Sequence, residues 1–464
     1  MNVPKSLRTR TAEAVADRRV VQAVQLASWR KVDQRREALA KLKHAEELSE
    51  RAAQIRQHTL ENLPRYLGQF VERVTALGAT VHLAADAAAA CRIITDIAVT
   101  RGLKLAVKSK SMTSEEVHLN DALAAAGVRV VETDLGEFIV QIDHDRPSHI
   151  VTPIIHKDRK QVAQALVREL GCAYTEDPTE LTMLARRYLR DIFRRCDLGI
   201  TGVNFAVAET GTICLCTNEG NGRMTVTRPR VHVALLGIEK VIPRMADLGV
   251  LLKLLSRSAT GQPMGVYTTL VTGPPRPDDV DGPQELHVVL MDNGRSDILA
   301  GPLREVLRCI RCGACLNACP VYRSVGGHAY NSVYPGPIGS LLTPLLYGPQ
   351  HDELPRASSL CGACKLACPV QIDIPELLVR LRAGARRRQP LAKRVLLRGW
   401  SWAMRLPWVY RLGQKLMRAA LPGGNDWISR GMGPLKDWTI ARDLPRPPAL
   451  SFRRLWKEGL DDER

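Results

Sequence analysis

The chain has 464 residues, of which 45% are hydrophobic and 25% charged, as expected for a globular protein of two or three domains. It has no run of 18 apolar residues and no apolar segment behind its basic N-terminus, so we expect a cytoplasmic protein without a membrane-spanning helix or a signal peptide. The formal net charge of +18 is uneven, because residues 380–464 carry 20 Lys or Arg against 7 Asp or Glu.

Residues 1–70 are charged, rich in Ala and Leu and free of strand patterns, so they predict a helical N-terminal segment. From about Gly78, short β-branched runs alternate with helical stretches such as residues 114–127. This alternation is typical of a parallel sheet covered by helices, and we predict an α/β domain over residues 71–298. The predicted strands fall within residues 80–84, 103–107, 128–134, 198–218, 231–238 and 286–292.

A polar turn follows the second predicted strand and precedes a predicted helix. It consists of Lys108, Ser109, Lys110 and Ser111. Its backbone N–H groups, hydroxyls and ammonium groups suit a carboxylate or a phosphate. Since ligands of open α/β sheets bind at the carboxyl ends of the strands, these four residues are our candidate substrate site. The alternative is a capped helix start with solvated lysines.

Glu209 stands after the apparent strand NFAVA and is our candidate catalytic residue, as a general base or as a group that orients the ligand. His156 and His232 are alternative bases, although a lone histidine is more often structural. No G-x-G-x-x-G follows a strand, so we expect no dinucleotide. The organic redox step would then involve a partner or a separate cofactor.

The strand pattern stops near residue 300, and two cysteine motifs follow. The first is Cys309-x2-Cys312-x2-Cys315-x3-Cys319-Pro320. The second, Cys361-x2-Cys364-x3-Cys368-Pro369, lacks its first cysteine, and Ser358 stands there. This is the bacterial spacing for a pair of iron–sulfur clusters, in which the last cysteine of each motif binds the other cluster. We therefore predict an all-α, helical ferredoxin-like module over residues 299–385.

Exchange of the last cysteines assigns the ligands of two [4Fe–4S] clusters. Cluster 1 takes Cys309, Cys312, Cys315 and Cys368, and cluster 2 takes Cys319, Cys361 and Cys364. The remaining iron of cluster 2 would bind water, a serine or another oxygen ligand, or it would be absent and leave a [3Fe–4S] cluster. Structural zinc is the alternative, but three thiols in C-x2-C-x2-C before Cys-Pro fit one metal ion poorly.

Five further cysteines are scattered through the chain, and we expect them to be buried thiols. They are Cys91, Cys172, Cys196, Cys214 and Cys216.

Residues 386–464 form a basic, Trp-rich segment that we expect to be helical. Its Leu391–Leu421 stretch mixes Trp and aliphatic side chains with Lys and Arg, and Pro407 should interrupt the helix. Such a helix lies either on its own protein or a partner, or on an anionic membrane surface near a quinone-linked acceptor. No nucleic-acid recognition motif is present, so we expect no nucleic-acid partner.

Several long stretches together carry a family resemblance. They are residues 108–116, 131–142, 147–157, 199–223, 256–262, 286–295, 309–330 and 334–339. The sequence closely resembles the lactate-utilisation iron–sulfur protein B family from about residue 15 to 385, and more loosely beyond. The resemblance implies that the α/β domain is similar to the sugar-phosphate isomerase and CoA-transferase folds. The family's ligand pattern is the same seven cysteines.

The resemblance also implies a function. It indicates an iron–sulfur electron-transfer subunit of a multi-protein, NAD-independent system that oxidises L-lactate to pyruvate. The implied partners are a cysteine-rich iron–sulfur subunit and a smaller subunit with a similar lactate-utilisation domain. The alternatives are the same relay for another 2-hydroxy acid such as glycolate, and a non-redox, metal-dependent scaffold. The implied location is the cytoplasm, with peripheral attachment at the inner membrane face as one arrangement.

The cluster assignment predicts the metal content. Protein purified without oxygen should contain about seven to eight iron atoms per chain with matching acid-labile sulfide, and should give cluster EPR signals with dithionite. Zinc without sulfide, in samples shown not to have lost clusters, would contradict the assignment.

Overall fold

The computed structural model describes residues 5–385, 391–420, 427–428, 439, 443–445 and 452–459. The chain divides into two compact units, Met1–Ala385 and Arg386–Arg464. No helix in the described ranges is long and apolar enough to cross a membrane.

The first unit begins with four helices, as the sequence predicts. They are α1 (Leu7–Ala16), α2 (Arg18–Ala40), α3 (Ala45–Glu61) and α4 (Leu63–Ala76). Ser6 and Asp17 begin the first two, because their side chains accept the backbone N–H groups of Thr9 and Val20. Helix α2 is largely polar and buries only small side chains, including Val24 and Ala38.

A six-stranded parallel sheet forms the centre of the α/β region. Its strands are β1 (Thr80–Ala84), β2 (Leu105–Lys108), β3 (Arg129–Glu132), β4 (Leu198–Gly202), β7 (Val231–Gly237) and β10 (Glu285–Met291). They are ordered β1-β10-β7-β4-β2-β3, and every neighbouring pair is parallel. Strand β7 is buried along its whole length, as expected for the middle of a sheet covered on both faces.

The prediction that residues 198–218 continue the parallel sheet is wrong beyond β4. The chain instead turns into a second, four-stranded sheet of order β8-β5-β6-β9. Its strands are β5 (Phe205–Val207), β6 (Thr212–Thr217), β8 (Val241–Ile242) and β9 (Tyr267–Val271). The positive φ of Gly211 lets the chain reverse, so that β5 and β6 pair antiparallel.

Helices connect and cover the two sheets. They are α5 (Ala87–Thr100), α6 (Met112–Glu116), α7 (Leu119–Ala125), α8 (Leu135–Ile142), α9 (Arg159–Leu170), α10 (Pro178–Arg195), α11 (Asn221–Thr227), α12 (Met245–Thr260) and α13 (Arg295–Ala300). A 3₁₀ turn, Ile238–Lys240, links β7 to β8.

Within residues 301–385, all of which the structure describes, the chain forms short helices and 3₁₀ turns without a strand. The helices are α14 (Ala314–Ala318), α15 (Pro320–Val325), α16 (Gly336–Tyr347), α17 (Ala363–Leu366) and α18 (Ile374–Ala385). The 3₁₀ turns are Arg304–Arg308, His328–Tyr330, Pro349–His351 and Leu354–Arg356. One hydrophobic core contains side chains of the N-terminal helices, the second sheet and this cysteine-containing region, so the three parts are packed together.

The second unit contains two helices that meet at Pro407, where the sequence predicts an interruption. They are α19 (Leu391–Arg405) and α20 (Pro407–Ala420). Two short strands, β11 (Trp427–Ile428) and β12 (Leu444–Pro445), pair antiparallel, and α21 spans Phe452–Glu458.

One of the connections between the N-terminal helices and the rest of the first unit is a buried cation. Arg56 of α3 is 1% exposed, and its guanidinium donates only to backbone carbonyls. The acceptors are Glu239 O at 2.6 Å, Leu307 O at 2.8 Å, Val241 O at 3.1 Å and Arg308 O at 3.2 Å. These acceptors belong to the α/β region and to the start of the cysteine region, so one side chain holds three parts of the chain together.

Arg56→Leu should therefore destabilise the first unit. The variant removes the Arg56 donor from four backbone carbonyls, and we expect a loss of about 2–5 kcal/mol in the free energy of unfolding, measured anaerobically by denaturant titration. The matched control is Arg51→Leu on the exposed face of the same helix, with an expected change within about 0.5 kcal/mol. Equal stability of the two variants would contradict the role of Arg56.

Candidate functional site

Two loops of the cysteine region have the same local structure. We call residues 309–315 the first loop and residues 358–364 the second loop. Both contain the sequence Cys-Gly-Ala-Cys, and the glycine takes a positive φ of 76° at Gly313 and 84° at Gly362. A short helix starts directly after each glycine, α14 in the first loop and α17 in the second. The glycine therefore turns the chain so that the two cysteines on either side of it face a common point.

The thiols of the first loop lie close to Cys368, which follows the second loop. The pKa of Cys312 is raised to about 12, mainly by burial and also by the nearby charges of Cys368 and Cys309, against a lowering by the backbone N–H of Ala314. Burial likewise raises the pKa of Cys315, with the same neighbours and Cys312 as additional causes. Cys368 therefore lies near the first loop, and its assignment to one cluster with Cys309, Cys312 and Cys315 stays a prediction.

The other three cysteines form a second set. Burial raises the pKa of Cys364 to about 12, with the charge of Cys319 as the next cause and that of Cys361 as a smaller one. Cys319 is buried, whereas Cys361 is exposed. A hydrogen bond from the backbone N–H of Ala363 lowers the pKa of Cys361. The second set is therefore the nearer of the two to the protein surface.

Backbone N–H groups point at the sulfur atoms of both sets. Arg311 donates to Cys309 Sγ at 3.4 Å, Ile372 to Cys368 Sγ at 3.4 Å, and Tyr322 to Cys319 Sγ at 3.5 Å. Such donors stabilise anionic sulfur. Groups of four and three mostly buried thiols, each group supplied with N–H donors, fit iron–sulfur clusters better than isolated metal ions.

A cavity of about 390 Å³ lies at the carboxyl end of the parallel sheet. One side of it is formed by the turn after β2, which contributes Ser109, Lys110 and Ser111. Arg311 and Cys312 of the first loop also line it. The predicted substrate turn and the predicted cluster 1 therefore border the same space.

Three cations line this cavity. The side chains of Lys110 and Arg311 are ion-paired with Glu137 at 3.4 Å and Glu239 at 3.3 Å, and each retains a buried nitrogen without a hydrogen-bond partner among the described residues. Lys240 is 8% exposed, and burial together with repulsion from Arg311 lowers its pKa to about 8. A small anion in the cavity would relieve this concentration of positive charge.

Three protein families match successive parts of the chain. A LUD domain matches residues 67–291, a 4Fe-4S dicluster domain residues 305–372, and the C-terminal domain of lactate utilisation protein B residues 380–460. Lactate utilization protein B of Bacillus cytotoxicus is 45% identical over 98% of this chain and 97% of its own length. The chain belongs to the lactate utilization protein B family.

Other members of the lactate utilization protein B family are similarly close. The protein of that name from Bacillus cereus strain B4264 is also 45% identical over 98% of this chain and 97% of its own. A crystal structure of a DUF162 family protein from Deinococcus radiodurans aligns with 49% of this chain and with 98% of its own chain, at 15% sequence identity. Its TM-score of 0.27 is too low to support an argument about the fold.

The structure does not place Lys108 in the cavity, contrary to the sequence-based expectation. Lys108 is the last residue of β2, its partner in the neighbouring strand is Glu132, and their side chains form an ion pair of 2.7 Å. A second ion pair reaches Glu115 at 2.9 Å. Burial alone would lower the pKa of Lys108, but these two carboxylates raise it. The lysine is therefore a buried structural cation of this protein.

Glu209 is also separated from the cavity at the sheet. It lies in a different cavity, of about 550 Å³, together with Arg51, Arg65 and Arg244. Its exposed carboxylate accepts the backbone N–H of Met245 at 2.9 Å, in the first turn of α12. The structure thus favours helix capping over general-base catalysis for Glu209, because nothing brings it to the Ser109–Ser111 turn.

The two alternative bases are likewise absent from the residues that line the cavity. His232 on β7 is fully buried and bonded to Thr201 Oγ1 at 2.8 Å, and burial lowers its pKa to about 3. His156 bonds Ser148 Oγ at 2.7 Å and Asp145 at 2.9 Å. The contacts of both histidines therefore favour a structural role, which is the more common one for a lone histidine.

The scattered cysteines are less buried than predicted. Only Cys196 and Cys214 are fully buried, and Cys91, Cys172 and Cys216 are partly exposed. The Sγ atoms of Cys214 and Cys216 are 4.0 Å apart, since residues i and i+2 of β6 face the same side. Cys216 lines the cavity at the sheet.

A buried ionic network next to the cavity was not predicted from the sequence. Arg295 pairs with Glu239 at 2.6 Å and with Glu116 at 2.8 Å, and Tyr334 donates to Glu116 at 2.6 Å. Gly237 ends β7 beside this network, and a Cβ there would lie 2.1 Å from Glu239 Oε2 and 2.3 Å from Arg295 Nε. The sequence does contain a signal for this network, because charged residues directly follow two predicted strands. They are found in IEK after β7 and in DNGR after β10.

Two Glu209 variants test the capping role. Glu209→Leu removes the acceptor for the Met245 N–H, and we expect it to lower the free energy of unfolding by about 0.5–2 kcal/mol. Glu209→Gln keeps an acceptor oxygen and should stay within about 0.5 kcal/mol of the parent protein, with the same bound iron. Equal damage by both substitutions would show that the carboxylate charge itself is needed.

Proposed function

We propose that this protein is an iron–sulfur electron-transfer subunit of a multi-protein system that oxidises L-lactate to pyruvate without a nicotinamide dinucleotide. The observation that carries the proposal is the shared cavity, which is lined both by the Ser109–Ser111 turn and by Cys312 of the first loop. Membership of the lactate utilization protein B family supports lactate as the substrate of the system. Two [4Fe–4S] clusters are the proposed cofactors.

The cavity suits a small carboxylate. Its volume of about 390 Å³ is within the range of small-molecule sites and exceeds what one lactate needs. Lys110, Lys240 and Arg311 provide positive charge, and Ser109 and Ser111 provide hydroxyl groups. We propose that the cations bind the carboxylate of the substrate through charge-assisted hydrogen bonds. The two hydroxyl groups would orient it.

The electron balance requires a relay. Conversion of lactate to pyruvate releases two electrons and two protons, and a [4Fe–4S] cluster, when bound, transfers one electron at a time. Cys309, Cys312, Cys315 and Cys368 would hold cluster 1 beside the cavity, and Cys319, Cys361 and Cys364 would hold cluster 2. In this chain's part of the reaction, the cavity would position the substrate, and the buried Cys312 and Cys315 would hold cluster 1 away from water.

The exposed part of the second loop is the proposed exit for electrons. Cys361 is exposed, and Leu366 close behind it is 84% exposed, an unusual position for a leucine. A partner that covers this surface would bring its own redox centre close to cluster 2. We propose that the partners are a cysteine-rich iron–sulfur subunit and a smaller subunit with a lactate-utilisation domain.

The second unit has a separate candidate role at a membrane. Residues 391–420 contain seven Lys or Arg and no Asp or Glu, and Trp400, Trp402 and Trp408 are each more than 60% exposed. A basic helix with exposed Trp binds anionic lipid surfaces. This favours peripheral attachment near a quinone-linked acceptor, while packing against a partner subunit remains the competing arrangement.

Reduction by substrate in the assembled complex tests the proposal. L-Lactate added without oxygen should reduce the clusters, as followed by EPR, and glycolate should do so far more slowly. Faster reduction by glycolate would favour the relay for another 2-hydroxy acid. Clusters that dithionite reduces but that neither substrate changes would favour the scaffold.

Removal of one cavity cation should weaken the response to lactate. Lys240→Met should lower the rate of lactate-driven reduction by at least about tenfold at subsaturating lactate, because one charge-assisted hydrogen bond contributes about 1.5–3 kcal/mol. Reduction by dithionite should be unchanged, which separates substrate binding from loss of clusters. Lys253→Met on the exposed face of α12 is the matched control, and an equal effect of both variants would contradict the site.

A further inference from the structure

Cluster 2 has only three cysteine ligands, and the two loops indicate what binds its fourth iron. We propose that the side-chain oxygen of Ser358 is the fourth protein ligand of cluster 2. The proposal rests on the proposed binding of two [4Fe–4S] clusters and specifies one residue within it. Its support is a residue-by-residue correspondence between the first loop and the second loop, in which Ser358 occupies the position of Cys309.

The backbones of the two loops match at their unusual positions. Arg311 has a φ of 61° and Leu360 a φ of 57°, and each directly precedes the Cys-Gly-Ala-Cys sequence. A positive φ is rare for arginine and leucine, so its recurrence at the same place indicates a common loop conformation. Gly313 and Gly362 also have a positive φ. The two loops therefore share a positive φ at two of their seven positions.

The ligand position itself is also equivalent. The backbone N–H of Arg311 donates to Cys309 Sγ at 3.4 Å, two residues earlier. The backbone N–H of Leu360 donates to Ser358 Oγ at 3.1 Å, again two residues earlier. The hydroxyl oxygen therefore occupies the place in the second loop that a ligating sulfur occupies in the first, and the same donor is available to an anionic oxygen.

The surroundings hold Ser358 in place and favour an anionic ligand. Arg382 donates to the carbonyls of Pro355 at 2.8 Å and Ser358 at 3.3 Å, which fixes the segment before the loop. Arg323 belongs to α15, the helix that begins directly after Cys319, so a cation follows this set of ligands closely in the chain. Formation of the Fe–O bond releases the hydroxyl proton to water, and the oxidation state of the iron does not change.

The neighbouring Ser359 provides a matched control. It corresponds to Ile310 of the first loop, which is buried in the core and is not a ligand. Ser359 is exposed and hydrogen-bonds Cys361. A serine that only supports the loop and a serine that binds iron are therefore adjacent in sequence and can be compared by identical substitutions.

The experiment compares the full-length parent protein with Ser358→Ala, Ser358→Cys and Ser359→Ala, each loaded with iron and sulfide without oxygen. Iron is counted before and after mild ferricyanide oxidation, and EPR and Mössbauer spectra are recorded. We expect the parent protein and Ser359→Ala to keep about eight iron atoms per chain. Ser358→Ala should lose about one iron per chain and give the EPR signal of a three-iron cluster.

Ser358→Cys should keep all its iron and shift the reduction midpoint of cluster 2 upward, because sulfur is a softer donor than oxygen and stabilises ferric iron less. The unchanged signal of cluster 1 in each variant reports an intact fold. If Ser358→Ala loads neither cluster, the midpoint and spectrum of Ser358→Cys decide instead. An upward shift supports ligation by Ser358, and a spectrum identical to that of the parent protein overturns it.

Other outcomes separate this proposal from the proposed function. If the parent protein holds two clusters and Ser358→Ala retains the same amount of iron, only the proposal that Ser358 is a ligand is overturned. Loss of iron from Ser359→Ala but not from Ser358→Ala would move the ligand to the neighbouring residue and overturn the proposal. A parent protein with about four iron atoms, or with zinc, would overturn the two-cluster assignment and the serine ligand together.

Discussion

The arrangement of the first unit depends on the buried carboxylate of Glu239. It pairs with Arg295 of the α/β region and with Arg311 of the first loop, while its backbone carbonyl accepts from Arg56 of the N-terminal helices. Burial would raise the pKa of Glu239, but the two guanidinium groups hold it at about 2. Buried charges are tolerated only when they are paired, so a displacement of any one part would leave a charge unpaired in the interior. The first loop is therefore fixed against the end of the parallel sheet.

This constraint explains why the candidate site forms at a junction. The carboxyl end of the sheet contributes the Ser109–Ser111 turn, and the cysteine region contributes Arg311 and Cys312. Each part alone would expose its polar groups to water. Together they enclose a cavity in which cations remain incompletely paired, and such a place favours an anionic ligand. His149 adds a further connection, because it accepts the N–H groups of Val151 and Thr152 and bonds Asn317 of α14.

Much of this architecture could be predicted from the sequence, for identifiable reasons. The parallel strands are β-branched runs separated by helices, and β1 was predicted to the residue. The cysteine spacing predicts the ligand grouping, because the last cysteine of each motif lies outside its own loop, and this grouping stays a prediction. The second sheet was missed because the residues of β5 and β6 are as apolar as a parallel strand, and periodicity does not reveal the direction of pairing. Lys108 and Glu209 were misplaced because their partners, Glu132 and the N–H of Met245, are distant in sequence.

Gly237 shows how closely these parts depend on one another. It is the final residue of a central strand, yet the space that its side chain would occupy is taken by the ion pair between Glu239 and Arg295. A larger residue at this position requires Glu239 or Arg295 to move, and a displaced Glu239 would also disturb its ion pair with Arg311. Substitutions at these positions should consequently be non-additive. In a diverging lineage the sheet and the cysteine region would have to change in concert, so neither could be exchanged independently for its counterpart from a distant relative.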